Sequence, residues 1–163
     1  MTRDASLVVY RDTVRGEWVD YNGHLRDAFY MLVFSFATDA LIDGIGLPDA
    51  VRKARGRSIY TLEAHINYLH EIKQGTAVRV EMRLLAHDAK RLHLYLEMFA
   101  DGGVEPVAAS EQMLLHVDTS GPRSVAFDDD VAERVRVLAD AHASLPPAAY
   151  AGRVIALPVK ARG

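Results

Sequence analysis

The longest apolar stretch of the chain, residues 28–45, limits the folds that are open to it. Its apolar residues recur at the 3.6-residue period of an α-helix, and Gly44, Gly46 and Pro48 follow as signals that end one. We therefore predict a helix over residues 28–45 with Asp27 as its N-cap. Because polar positions form only a narrow stripe, the helix should be buried on most sides rather than lie on a surface.

The rest of the chain predicts strands. Residues 7–15 are rich in Val, Thr and Tyr and favour a first strand. Residues 49–56 are expected to be a basic connector, and from Ser58 the apolar period changes to two. Four long strands separated by turns are expected, followed by a short amphipathic helix; these elements fall at residues 58–68, 78–84, 92–98, 107–117 and 131–139.

This order implies one long antiparallel sheet that has to bury a nearly all-apolar helix. The economical solution is an α+β hot-dog fold, in which the sheet wraps around one central helix and a short helix follows at the C-terminal end. Such a sheet leaves an edge strand open, which favours a homodimer or homotetramer. We expect one hot-dog domain over residues 1–145 and a loosely ordered tail over residues 146–163.

Composition narrows the function classes. The net charge of −3 argues against nucleic acid or an anionic membrane as a partner. The chain has no cysteine, which excludes disulfides, cysteine nucleophiles and thiolate metal sites. The seven histidines lack the spacing of a metal site. Residues 1–7 contain no apolar run of signal-peptide length, so we expect a cytoplasmic protein without a membrane span.

Residues 20–24 place a carboxylate, an amide, a glycine and a histidine directly before the buried helix. A helix N-terminus offers unpaired backbone N–H groups and a partial positive charge. With Asp20 beside it, this is the equipment for hydrolysing an ester or a thioester, since N–H groups stabilise an oxyanion and a carboxylate attacks or activates water. The alternative is that Asp20 only caps the loop.

The same residues carry a family resemblance. Asp20, Asn22, Gly23, His24 and Tyr30 match the D-x-N-G-H-x-N-N-x-x-Y signature of hot-dog acyl-CoA thioesterases of the 4-hydroxybenzoyl-CoA thioesterase-like superfamily, while positions 26 and 27 depart from its Asn-Asn pair. Residues 34–41, 62–66, 90–94 and 111–118 resemble the betainyl-CoA thioesterases of carnitine degradation, which in some relatives are fused to carnitine dehydrogenase. The similarity covers about residues 7–125.

The resemblance implies thioester hydrolysis at a dimer interface. Asp20 would be the nucleophile or the general base, and Asn22, Gly23 and His24 would orient it or bind the thioester. The residues do not decide between direct attack by Asp20 and attack by a water that it activates. His24 could equally be a packing histidine.

A betainyl group carries a quaternary ammonium, which binds aromatic faces. The expected substrate-binding aromatic residues are Trp18, Tyr21, Tyr30 and Tyr60, with Trp18 as the first choice. Glu63 and Glu111 are expected to add negative charge. Glu63 could otherwise belong to a solvated face, and Glu111, expected on the core-facing side of its strand, could be turned outward by a bulge.

Coenzyme A carries phosphates, and Arg57, Lys90 and Arg91 are the predicted contacts, in two clusters that could equally be solvated surface. The resemblance implies no cofactor or metal, because CoA is part of the substrate, and suggests a functional link to carnitine dehydrogenase. The alternatives are a non-catalytic acyl-CoA-binding module and a thioesterase for another short or aromatic acyl-CoA; a hydratase is less consistent with these residues.

Overall fold

The computed structural model describes residues 8–160, so Leu7 of the predicted first strand lies outside the described residues. A single 3₁₀ turn at Gly16–Trp18 follows the first strand. The strands and helices, in chain order, are β1 (Val8–Thr13), α1 (Asp27–Gly44), α2 (Asp49–Arg55), β2 (Arg57–Tyr68), β3 (Ala77–His87), β4 (Arg91–Ala100), β5 (Ala108–Asp118), β6 (Arg123–Ser124) and α3 (Asp129–His142).

The strands form one antiparallel sheet in the order β1-β3-β4-β5-β2, and the short β6 pairs with β5. The sheet curls around α1, whose buried residues Val33, Phe34 and Ala37 are 0% exposed. This is the predicted hot-dog fold, and β2 lies at an open edge of the sheet. We call the face that contacts α1 the inner face and the opposite face the outer face.

The central helix begins one residue earlier than predicted. Arg26 is the N-cap in an extended conformation and makes no side-chain cap hydrogen bond. Asp27 is the first helical residue, and its Oδ1 accepts the backbone N–H of Ala28 at 2.9 Å. The helix ends at Gly44, and Gly46 has a φ of +96°, a conformation that favours glycine.

The basic connector is a second helix, α2, rather than a loop. Asp49 lies in its first turn, Arg52, Lys53 and Arg55 lie in its last turn, and Gly56 closes it in the left-handed conformation. This charge order suits the helix dipole and favours a short helix here. Among residues 8–160, no single helix is long and apolar enough to span a membrane, and α1 with α2 meets that test only as a pair bent by 66°.

A bulge in β2 changes which residues share a face. Thr61 pairs opposite Leu114 but Glu63 pairs opposite Met113, so the extra residue at the bulge is Leu62. The predicted period of two from Ser58, which would place Tyr60, Leu62 and Ala64 on one face, is therefore interrupted. Tyr60 lies on the outer face, whereas Ala64 lies opposite Gln112 on the inner face.

The alternation of β5 is the reverse of the predicted one. Gln112 is 2% exposed on the inner face, where its Oε1 lies 3.2 Å from the hydroxyl of Thr38 in α1. Glu111 lies on the outer face without a bulge in β5, so its predicted place in the core is wrong. Ala108 and Ala109 are both buried, and a strand buried on both faces shows no reliable alternation of apolar residues.

Residues 143–160, which follow α3, contain no helix or strand, but they contact the sheet. Arg83 of β3 donates to the carbonyl of Pro146. The N–H of Tyr150 donates to Tyr95 Oη of β4 at 3.3 Å. Residues 146–152 of the tail therefore lie across the outer face, whereas residues 153–160 are exposed.

Candidate active site at the start of the central helix

A closed turn presents Asp20 at the entrance to α1. The N–H of Asp20 donates to the His24 carbonyl and the N–H of Gly23 donates to the Asp20 carbonyl, both at 2.9 Å. Gly23 has a φ of +77°, which a residue with a side chain adopts only with strain. The turn is tied to the sheet because the N–H of Leu25 donates to the Ile72 carbonyl at 2.9 Å.

The Asp20 carboxylate is held through one of its two oxygens. Oδ1 accepts the N–H groups of Asn22 at 2.8 Å and His24 at 3.1 Å. Within residues 8–160, Oδ2 has no hydrogen-bond partner. Burial raises the pKa of Asp20, but the two N–H donors and the nearby His24 and Arg26 outweigh it, so the pKa lies below its usual value. An ionised carboxylate with one free oxygen can attack a carbonyl carbon or take a proton from water.

His24 lies beside this carboxylate and faces a second one. Its Nε2 is 3.6 Å from Oε2 of Glu71. The side chain of Glu71 is 79% exposed, so this ion pair contributes little to stability. Asn22 contributes its backbone N–H to the Asp20 turn, and the adjacent Tyr21 is 92% exposed.

A cleft of about 230 Å³ opens at the first turn of α1. Two tyrosine rings line it, Tyr30 and Tyr68, with centroids 5.3 Å apart in an edge-to-face arrangement. Tyr68 donates its hydroxyl to the Asp27 carbonyl and Tyr30 donates to the His70 carbonyl, both at 3.1 Å. Burial raises the pKa of both tyrosines, so both rings are neutral.

The cleft also carries negative charge, because Asp27 and Glu71 line it together with the tyrosines. Aromatic faces with carboxylates suit a quaternary ammonium, which has no N–H to donate. Of the lining residues, sequence reasoning found only Tyr30 as a substrate contact. The sequence does not predict Tyr68 and Glu71 as contacts, because they lie about 40 positions further along the chain and reach the helix only at the end of β2. An aromatic residue at the end of a predicted strand was the sequence feature that could have indicated Tyr68.

Trp18, the predicted first choice for a cation contact, lies in the core. It is 3% exposed, and its ring stacks on Phe29 at 6.2 Å. The guanidinium of Arg15 already lies over the indole, 4.6 Å from its centroid. The indole therefore has no exposed face for a substrate cation in this arrangement.

Three other predicted substrate contacts lie away from the Asp20 turn, on the outer face of the sheet. Tyr60 is half-exposed there, and Glu63 and Glu111 line a separate cleft of about 350 Å³. Glu111 Oε1 lies 2.7 Å from His93 Nε2, and its Oε2 accepts the N–H of Gly152 at 2.6 Å. The Glu111 carboxylate thus contacts His93 and the C-terminal segment, away from the Asp20 turn.

The predicted CoA contacts already have protein partners. Arg57 lies 3.7 Å from both Asp118 and Asp128. Arg91 pairs with Asp88 at 2.7 Å, and Lys90 donates to the Ser124 hydroxyl at 3.0 Å. Arg57 begins β2 and Tyr68 ends it, so one strand length of about 35 Å separates this corner from the cleft. No group of three or more acidic or histidine side chains in residues 8–160 could hold a metal ion.

Comparisons with known proteins agree with this geometry. Residues 14–135 match the thioesterase-like superfamily. The chain is 55% identical to the betainyl-CoA thioesterase of Pseudomonas aeruginosa over 152 residues, which cover 93% of this chain and 96% of that protein.

A longer relative and a solved structure extend the comparison. The chain is 48% identical to the L-carnitine dehydrogenase/betainyl-CoA thioesterase of Agrobacterium fabrum over 76% of this chain and 25% of that protein. A hypothetical protein of Staphylococcus aureus, solved in complex with CoA, superimposes with a TM-score of 0.88 at 28% identity, covering 93% of this chain and 96% of its own.

Proposed function

The chain belongs to the thioesterase-like superfamily and is an acyl-CoA thioesterase, and from this premise we propose that it hydrolyses betainyl-CoA to betaine and CoA. The 55% identity to the P. aeruginosa betainyl-CoA thioesterase, over nearly the full length of both proteins, supports this substrate. The fusion of similar domains to L-carnitine dehydrogenase supports a functional link to carnitine degradation.

The observation that carries the proposed mechanism is the held carboxylate of Asp20. Its Oδ1 accepts two backbone N–H groups while Oδ2 is left without a partner among the described residues. Either Oδ2 attacks the thioester carbonyl and water cleaves the resulting anhydride, or Asp20 takes a proton from the attacking water. In both routes the C–S bond breaks, CoA leaves as a thiolate that takes up a proton, and one water is consumed.

The start of α1 supports the developing oxyanion. Arg26, the N-cap, provides no side-chain acceptor, but Asp27 Oδ1 accepts the Ala28 N–H and the Arg26 carbonyl accepts the Phe29 N–H. We therefore assign the oxyanion to the remaining first-turn donor, the N–H of Asp27. Backbone N–H groups here are preorganised, and one such donor typically contributes about 10²–10³ in rate. His24 and Gly23 shape the turn that keeps Asp20 next to this end.

The tyrosine cleft is the proposed site for the trimethylammonium group. Tyr30 and Tyr68 supply aromatic surface, and Glu71 supplies charge. A cation over an aromatic face gains about 0.5–2 kcal/mol, depending on how fully it is desolvated. Selectivity for the trimethylammonium group needs no hydrogen bond, because this group has no N–H to donate.

Pairing with a second copy would complete the CoA site. In an antiparallel pair of β2 edges, the start of one strand lies beside the end of the other. The Arg57 corner of one copy would then approach the Tyr68 cleft of its partner. We therefore infer a homodimer in which the Arg57 corner of the partner contacts CoA, where Arg57 would exchange Asp118 and Asp128 for phosphate.

Thiol release tests the substrate with a matched pair of thioesters. Betainyl-CoA is compared with 3,3-dimethylbutyryl-CoA, in which carbon replaces the quaternary nitrogen. We expect kcat/KM to favour betainyl-CoA by about 5- to 30-fold, the equivalent of about 1–2 kcal/mol. Preference for the neutral thioester would reject the cation site, and tight binding without thiol release would reject hydrolysis.

A further inference from the structure

The C-terminal segment crosses the outer face in one direction, from β3 over β4 and β5 toward the β2 edge. Pro146 contacts β3 through Arg83. Tyr150 contacts β4, and Gly152 contacts β5 through Glu111. Gly152 and Arg153 then line the outer-face cleft with Glu63 of β2, the edge strand.

Beyond this point the chain is apolar and uncovered. Val154, Ile155, Leu157 and Val159 are 85%, 87%, 91% and 95% exposed. We call residues 154–159 the arm. Such a run of fully exposed aliphatic residues is unusual for a folded surface and marks a segment that packs on another molecule.

The outer face next to the same edge carries an apolar strip that the arm of its own chain does not cover. Tyr60 on this face is 46% exposed, and Leu62, the extra residue of the adjoining β2 bulge, is 56% exposed. Met113 and Leu115 of β5 are partly buried beside them on this face. We call these four residues the edge strip.

We propose that two copies of the chain exchange arms across their β2 edges, so that the arm of each copy packs on the edge strip of the other. The arm leaves the sheet at the β2 edge, an open edge where a second copy can pair. Six extended residues span about 20 Å, the width of about four strands, so the arm reaches well past the partner's edge. The contact is the same in both directions, as a two-fold dimer requires.

Arg153 supports this path. Its guanidinium lies 5.7 Å from the centroid of the Tyr150 ring. Together with the hydrogen bond from Gly152 to Glu111, this fixes the chain direction immediately before the arm. The occupant we infer for the edge strip is therefore a second copy, not an unrelated protein.

Sedimentation velocity over a range of concentrations tests the arm. The variant Ile155→Asp/Leu157→Asp should raise the dimer dissociation constant at least tenfold. The control Val104→Asp changes an equally exposed apolar residue, 83% exposed in the β4–β5 connection, and should sediment like the wild type. A dissociation constant for the arm variant within threefold of wild type, or a wild type that stays monomeric, would overturn the proposal.

A disulfide test separates exchange from an arm that folds back on its own chain. The chain has no cysteine, so each introduced thiol is the only one. Chains with Leu157→Cys are mixed under oxidation with chains of different mass that carry Tyr60→Cys. The mixed disulfide should exceed that formed with Val104→Cys chains, and equal yields would reject arm exchange.

Discussion

The carboxylate of Asp20 accepts the backbone N–H of His24 at 3.1 Å, across the turn that leads into the central helix. The histidine therefore positions the aspartate through its backbone, while its imidazole faces Glu71. Asp20 and the helix entrance are joined by one hydrogen-bonded turn, which contains Gly23 with its positive φ.

Replacing Asp20 by Asn should nearly abolish turnover while keeping the fold. The amide oxygen can still accept the N–H groups of Asn22 and His24, but the negative charge is lost. We expect kcat/KM for betainyl-CoA to fall by about 10²–10⁴-fold, measured by thiol release. Glu17→Gln, a change in the nearby exposed 3₁₀ turn, is the control and should stay near wild type. Wild-type turnover in Asp20→Asn would contradict the mechanism.

Changes at Tyr68 should separate cation recognition from hydrolysis. Tyr68→Leu removes the aromatic face and should lower the preference for betainyl-CoA over 3,3-dimethylbutyryl-CoA by about 3- to 30-fold, with little effect on the neutral thioester. Tyr68→Phe keeps the ring and loses only the hydrogen bond to the Asp27 carbonyl, so it should retain the preference. If both variants lose the preference equally, the hydroxyl and not the ring is responsible.

The tail contact of Glu111 should make stability depend on pH. Burial raises the pKa of Glu111, but the Gly152 N–H and His93 outweigh it and lower the pKa below 4.5. A carboxylate with a lowered pKa contributes stability above its unfolded pKa and loses it as the pH falls through the folded pKa.

Glu111→Gln should therefore lower the free energy of unfolding by about 1 kcal/mol at pH 7, and the difference should vanish at an acid pH below the folded pKa of Glu111. Urea unfolding at both pH values measures it. Glu105→Gln, an exposed change, should show no difference at either pH. An effect of equal size at both pH values would mean that the charge of Glu111 is not involved.

Two glycines at the end of α1 should respond to alanine in opposite directions. A Cβ at Gly44 meets nothing within 4 Å, so Gly44→Ala should stabilise by about 0.5 kcal/mol. Gly46 has positive φ, and a Cβ there would lie 2.9 Å from Arg134 Nη1. Gly46→Ala should destabilise by about 1–2 kcal/mol. Thermal unfolding of both variants checks the sign, and a stabilised Gly46→Ala would show that the backbone relaxes.

The sequence predicts the architecture well where each element has one buried face. The central helix and the order of the strands follow from the two apolar periods, and the hot-dog fold follows from their combination. The sequence does not predict which residues of β5 face the core, because Ala108 on one face and Ala109 on the other are both buried. The bulge at Leu62 cannot be predicted either, because it moves the following residues of β2 to the opposite face and leaves no mark in the composition of the strand.

The candidate site is predicted only as far as it is local in sequence. Asp20 and His24 share one turn, so their proximity can be read from the chain. Tyr68 and Glu71 reach the helix start through the pairing of β2 with β5, which no local pattern encodes. Conversely, a residue that is near the site in sequence need not contribute to it. Trp18 points into the core, where it stacks on Phe29.

The buried contact between Thr38 and Gln112 has a consequence for the whole enzyme. Close packing of the buried apolar residues already resists rotation of the helix within the sheet. Rotation of α1 by one residue, about 100°, would also separate the Gln112 oxygen from the Thr38 hydroxyl, which is shared with the Phe34 carbonyl, and an unsatisfied buried oxygen costs about 1–3 kcal/mol. The polar pair therefore adds to the packing that fixes the angular alignment of the helix whose start carries the Asp20 turn.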